Sequence, residues 1–92
     1  MTRIKIRELI WDEYNVKHIK KHNVAVGEAE QAVKNFIAHK GGKKGRYIAI
    51  GRSGARLISL IVRRVSSGIY YPVSARDSSR KERRKIYEKE KI

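Results

Sequence analysis

The segment from Arg46 to Arg76 contains nearly all of the continuous apolar, strand-favouring sequence of this chain. Gly54 and Gly68 lie in two turn clusters that divide the segment into three arms, since glycine adopts positive φ without steric cost. The middle arm, 57–62, is largely apolar on both faces, a pattern typical of a strand inside a sheet. The segment therefore predicts three antiparallel strands with the second in the middle.

Two further features set the limits of this sheet. Pro72 cannot donate a hydrogen bond to a neighbouring strand, so we expect it at a sheet edge or at a β-bulge. Arg76 is expected to leave the sheet at the end of the third arm. Near the start of the chain, Ile4 and Ile6 alternate with charged residues and predict a short opening strand, which makes about four strands.

Two helices are expected between the opening strand and the three arms. The first begins at Glu13 with Asp12 as its N-cap, and it ends near His22. Asn23 is the predicted stop signal, because asparagine tolerates the left-handed conformation that ends many helices. The second helix is expected over roughly 27–37, where apolar residues recur at helical spacing.

The third helix is expected after the sheet and reaches the C-terminus. Ser79 and Glu82 have the spacing of a capping box, in which the carboxylate accepts a hydrogen bond from the N–H of the cap. Before the sheet, the basic, glycine-rich segment 39–46 lacks the pattern of a nucleotide-binding loop. Either a flexible solvated loop or a contact with a nucleic-acid backbone explains this segment.

The charge of the chain indicates a polyanionic partner. Its 92 residues are expected to form one domain, 1–92, and they include 23 Lys and Arg against 9 Asp and Glu, a formal net charge of +14. Because the bases are spread along the whole sequence, the folded body itself is cationic. Such a protein attracts nucleic acid, an anionic membrane face or an acidic protein.

The sequence predicts a cytoplasmic protein without a membrane partner. No apolar run approaches the roughly 20 residues of a bilayer span, and the N-terminal residues lack the apolar core of a signal peptide. The absence of cysteine excludes disulfides and thiolate metal sites.

Two histidines of the first helix are candidate functional residues. At about 100° per residue, Asn15, His18 and His22 fall on one face, so we expect both imidazoles to point inward. Hydrogen-bonded core histidines, a metal pair or a role at the edge of a site would each explain them. A metal pair lacks a third ligand at suitable spacing, so we expect no metal.

Three motifs together resemble the BrnT family of type II toxins. They are W-D-E-Y-N-x-x-H-x-x-x-H-N-V over 11–24, K-G-R-Y-I-A-I-G-R over 44–52 and V-S-A-R-D-x-x-x-x-E-R-x-x-x-Y over 73–87. The resemblance implies an α+β fold similar to the RelE group, with two N-terminal helices and a C-terminal helix against an antiparallel sheet. It also implies RNA cleavage without metal or other cofactor. The implied partners are RNA and a DNA-binding antitoxin. The toxin is expected to contact operator DNA only through its complex with the antitoxin.

Under this resemblance, RNA cleavage needs a base, an acid and cations that stabilise the charge developing on the phosphorus oxygens. We expect Arg76, with Arg52 or Arg46, to contact the scissile phosphate, although an ion pair with Asp77 or Glu82 also explains Arg76. The candidate catalytic residues are His18, His22, Arg52, Arg76, Glu82 and Tyr87. The candidate RNA-binding residues are Lys43, Lys44, Arg46, Arg80 and Arg84.

Two other functions fit the same sequence. The charge and the basic last helix would suffice for a non-enzymatic nucleic-acid-binding protein. A cationic adaptor that binds an acidic protein is the second alternative.

Overall fold

The computed structural model describes residues 4–41 and 44–90. Within this part of the chain the elements are β1 Glu8–Leu9, α1 Glu13–Lys21, α2 Val26–Lys34, β2 Phe36–Gly41, β3 Arg46–Ser53, β4 Arg56–Ser66, β5 Ile69–Asp77 and α3 Arg80–Glu90. The strands form one sheet in the order β1-β5-β4-β3-β2, antiparallel except that β1 runs parallel to β5. The expected α+β class and helix order are confirmed, with five described strands instead of about four.

Strand β4 lies in the middle of the sheet, as its two apolar faces predict. On one face, Ile58 and Leu60 pack with α1 and α2 in the larger core cluster. On the other face, Leu57 packs with Ile50 of β3 and Ile86 of α3 in a smaller cluster. The sheet is therefore covered by α1 and α2 on one side and by α3 on the other.

The opening strand expected at Ile4 and Ile6 is wrong, because strand pairing begins only at Glu8. Both isoleucines pack against the larger core cluster instead. The backbone N–H groups of Arg7 and Glu8 both donate to the carbonyl of Gly68, and the pairing of β1 with β5 starts from this point.

The second helix ends at Lys34 instead of near residue 37, and the chain enters β2 at Phe36. The reason lies in β3, where an added Cβ at Gly51 would come 1.8 Å from the carbonyl oxygen of Ala32. The side-chain amide of Asn35 also donates to the carbonyl of Arg52 over 3.1 Å. These contacts fix the end of α2 on β3.

Of the two interpretations of segment 39–46, the flexible solvated loop is wrong for residues 39–41, because they pair with β3 as the end of β2. Apolar spacing alone did not distinguish the end of α2 from the start of this strand.

Several turn and cap predictions are confirmed. The Asp12 carboxylate accepts the N–H of Asn15 over 2.9 Å at the start of α1, and Asn23 has φ of 61°. The register shifts beside Pro72, which marks a β-bulge. Arg76 does not leave the sheet but pairs with β4 inside β5. None of the helices in the described part of the chain is long and apolar enough to cross a bilayer.

Candidate nucleic-acid interface

Arg76 and Glu82 form a forked ion pair between the end of β5 and the first turn of α3. Arg76 Nη1 donates to Glu82 Oε1 over 2.8 Å, and Nη2 donates to Oε2 over 3.1 Å. The same carboxylate accepts the Ser59 hydroxyl over 2.9 Å and the Ser79 N–H over 2.8 Å. The latter bond and its return bond from Glu82 N–H to Ser79 Oγ confirm the predicted capping box.

The surroundings of Glu82 hold its carboxyl ionised. The hydrogen bonds from Arg76 are the largest influence, and with those from Ser79 and Ser59 they outweigh burial and lower the pKa of Glu82 to about 2. Hydrogen bonding to Glu82 in turn raises the pKa of Arg76. A carboxylate with so low a pKa is a weak base near neutral pH, so this arrangement favours Glu82 as a fixed anion.

Beside this pair, α3 leaves part of its side of the sheet uncovered. Cross-strand partners lie on the same face of a sheet, so the register identifies this surface. Arg46 of β3 pairs with Arg63 of β4, and Arg76 of β5 pairs with Ser59 of β4. Between these pairs, one row of cross-strand partners runs from β2 to β5 through Lys40, Ile48, Ile61 and Ser74. We call this surface the open sheet face and define it by Lys40, Arg46, Ile61, Arg63, Ser74 and Arg76.

The open sheet face is strongly cationic. Arg46 and Arg63 are exposed and are cross-strand partners of like charge, and the Arg63 guanidinium lies 5.3 Å from the centre of the Tyr71 ring of β5. Among the ion pairs of the described residues, neither arginine has a carboxylate partner. An anion lying across the two strands would relieve the repulsion between these like charges.

A row of lysines on α3 borders the same surface. Lys81, Lys85 and Lys89 recur every four residues and therefore lie along one side of the helix. Lys89 Nζ donates to the carbonyl of Ile37 in β2 over 3.4 Å, which places this side of α3 toward the sheet. Sequence reasoning missed these lysines, Lys40 and Arg63. The regular spacing of the lysines was the available signal, whereas the pairing of Arg46 with Arg63 depends on the register.

The other predicted cations are dispersed. Arg52 lies at the opposite end of β3 from Arg46 and forms an ion pair with Glu90. By the helical period, Arg80, Arg84 and Tyr87 lie on the outer side of α3, away from the sheet, and all three are exposed.

The remaining predicted cations belong to the connection before β3. Lys44 is exposed in the turn before β3, with φ of 59°. Lys43 lies outside the described residues.

The expectation that His18 and His22 face inward is wrong, because both are exposed. Asn15 and Ile19 take the buried side of α1, and His18 projects on the side of Tyr14, which is 85% exposed. The two imidazoles are neighbours, with ring centroids 5.3 Å apart. Since α1 packs on the face opposite α3, the sheet separates them from Arg76. No cluster of three or more His, Cys, Asp or Glu suited to a metal ion occurs within 4–41 and 44–90.

Comparison with known proteins adds one informative match. No family model and no curated protein matches the chain. The crystal structure of the ribonuclease toxin BrnT of Brucella abortus matches with a TM-score of 0.62 and 27% identity. The match covers 79% of this chain and 97% of that chain. This chain has the BrnT fold. The resemblance expected from the three motifs is thus confirmed, and the BrnT-like sheet carries the Arg76–Glu82 pair beside its open face.

Proposed function

We propose that this protein is an endoribonuclease toxin of a type II toxin–antitoxin module that acts in the cytoplasm and arrests growth by cutting RNA without a metal. The observation that carries the proposal is the likeness to BrnT, a ribonuclease toxin, over 79% of the chain. A cognate DNA-binding antitoxin neutralises the protein in this account. Operator DNA is contacted through the antitoxin.

The proposed path of the RNA crosses the open sheet face. Arg46 and Arg63 are cross-strand partners on this face, and Lys40 of β2 lies on the same face. Phosphate groups would neutralise these cations, and release of counterions would favour binding. Half-buried Ile61 and Ser74 between the cations give the RNA a surface of low charge to lie against.

Arg76 is the proposed catalytic cation at the border of this face. An arginine has five N–H donors, and three of its hydrogen bonds go to the Glu82 carboxylate and the carbonyl of Asp77. The side chain is still 37% exposed, so its remaining donors can reach a phosphate. A guanidinium fixed in this way stabilises the negative charge that develops during cleavage.

We assign Glu82 a positioning role instead of the acid–base role considered from the sequence. Its four hydrogen bonds orient Arg76 and hold α3 against β4. Its lowered pKa suits a permanent anion. The residues that come together here therefore supply charge stabilisation, while Tyr87, His18 and His22 lie elsewhere on the surface.

A non-enzymatic RNA-binding protein is the second candidate function. The observation that favours it is the forked pair itself, because Arg76 satisfies Glu82 and no histidine lies on the open sheet face. Binding that weakens with salt but leaves the RNA intact after long incubation would identify this function.

Substitution of Arg76 tests the proposed function. We expect Arg76→Ala and Arg76→Lys to reduce RNA cleavage by roughly 100-fold or more, the usual effect of removing one oxyanion donor. Arg76→Lys keeps the charge next to Glu82 and loses only the fork, so it separates catalysis from stability. Lys17→Ala, which removes a cation from the opposite side of the sheet, is the matched control and should retain activity.

The assay measures cleavage of labelled RNA, and circular dichroism verifies that each variant is folded. Cleavage by both Arg76 variants at the rate of the parent protein would remove Arg76 from the site. RNA that stays intact with the parent protein, under conditions where it is bound, would favour the second candidate.

A further inference from the structure

The opposite face of the sheet carries a separate cationic cleft. Its volume is about 430 Å³, within the range of roughly 300–1,000 Å³ that small-molecule sites occupy. It lies at the same end of the strands as Arg46 and Arg63, where α1 and α2 do not cover the sheet. The residues that line it include Lys5, His39, Tyr47, Arg64 and Tyr70.

Two separate segments deliver cationic side chains to this cleft. Lys5 comes from the chain before β1 and Arg64 from β4, and both are exposed. Among the described residues that line the cleft, none is acidic. A ligand that pairs with the cations on this side of the cleft carries negative charge.

The other wall of the cleft is aromatic. The rings of Tyr47 and Tyr70 meet edge to face, with centroids 6.2 Å apart and planes at 79°. Tyr70 is only 3% exposed and packs in the larger core cluster, so it fixes the orientation of the half-buried Tyr47 ring. A fixed aromatic ring beside cationic donors suits a planar base attached to a phosphate.

We propose that this cleft binds a phosphorylated nucleotide, with the base against Tyr47 and the phosphate held by Arg64 and Lys5. The nucleotide is either free or one residue of an RNA strand that passes around the end of the sheet. This inference goes beyond the proposed cleavage, because binding in the cleft requires no cut in the RNA.

Adjacent arginines on opposite faces provide a matched test. Arg64 pairs with Tyr70 and lines the cleft, whereas Arg63 pairs with Arg46 on the open sheet face. Arg64→Gln and Arg63→Gln therefore remove the same charge from neighbouring positions. We expect Arg64→Gln to weaken binding of uridine 5′-monophosphate by about tenfold, the effect of losing a charge-assisted hydrogen bond, and Arg63→Gln to change it far less.

Binding is measured by NMR from the ring signals of His39, one of three histidines in the chain, during titration with uridine 5′-monophosphate. A second titration uses a short 2′-O-methyl RNA, which lacks the nucleophile for cleavage. Movement of the His39 signals in the first titration indicates a free nucleotide, and movement in the second alone indicates a nucleotide of RNA.

Two results would overturn the inference: His39 signals that stay unchanged with both probes, or a movement of the His39 signals, with whichever probe produces it, that Arg64→Gln leaves unchanged. If the parent protein binds the nucleotide in the cleft but does not cleave RNA, the proposed ribonuclease function is wrong and the inference about the cleft stands.

Discussion

Glu82→Gln should destabilise the protein in a pH-dependent way. The fall of the pKa of Glu82 from its ordinary value of 4.5 to about 2 corresponds to about 3 kcal/mol of stabilisation of the folded state. The side chain is only 8% exposed, so solvent screens this interaction little. Glutamine keeps the shape and one acceptor oxygen, but it loses the charge that pairs with Arg76. We therefore expect the free energy of unfolding at neutral pH to fall by about 2–3 kcal/mol.

The sign of the pH dependence follows from the lowered pKa. As the pH falls, the unfolded chain takes up a proton at this carboxyl before the folded protein does. The stabilisation is therefore fully present well above pH 4.5 and is lost as the pH falls toward about 2. The stabilities of the parent protein and Glu82→Gln should converge over this range.

Urea denaturation at about pH 7, 4.5 and 2.5, followed by circular dichroism, measures this difference. Asp12, Glu28 and Asp77 also have lowered pKa values because each accepts hydrogen bonds. Their contributions to the pH dependence of stability are the same in the parent protein and in Glu82→Gln, so they cancel in the difference. Glu88→Gln removes the same charge from an exposed position of α3 and is the control. Stability curves of the parent and Glu82→Gln that stay parallel from neutral to acid pH would refute this account of the pair.

Two further predictions concern the sheet. Gly51→Ala should lower the free energy of unfolding by about 3 kcal/mol or more, because the added Cβ would clash with the carbonyl of Ala32. In α2, the Cβ added by Gly27→Ala has no atom within 4 Å, so this variant should raise the free energy of unfolding by about 0.5–1 kcal/mol. Equal melting temperatures for the two variants would contradict this packing. Arg46→Glu places a carboxylate opposite Arg63, which keeps its contact with the Tyr71 ring, and should stabilise the sheet by about 0.2–1 kcal/mol while it reduces RNA binding. A melting curve and a salt titration of RNA binding measure both effects, and unchanged RNA binding would exclude Arg46 from the interface.

The sheet was predictable because its signals are local. The two apolar faces of 57–62, the turns at Gly54 and Gly68 and the bulge at Pro72 each follow from backbone preferences that the sequence displays. The junction of α2 and β2 was not predictable in this way. It depends on the close approach of Gly51 to α2, a tertiary contact that local spacing does not report.

The candidate site was predictable only in part. The capping box at Ser79 and Glu82 was visible as a motif, and the ion pair of Arg76 with Glu82 was one of the alternatives. The grouping of Arg46 with Arg63 arises from strand register, which turns and side-chain packing determine. The prediction that His18 and His22 face inward was wrong because the helical period groups residues by face but does not say which face is buried. In the structure the buried side of α1 is centred on Ile19, not between Tyr14 and Ile19.

Cleavage of RNA by the purified, folded protein in EDTA, free of any antitoxin, tests the central claim most directly. The account predicts that labelled transcripts, either naked or under translation, are cut, and that the Arg76→Ala variant leaves them whole. Naked and translating transcripts that both remain intact with the parent protein would contradict it.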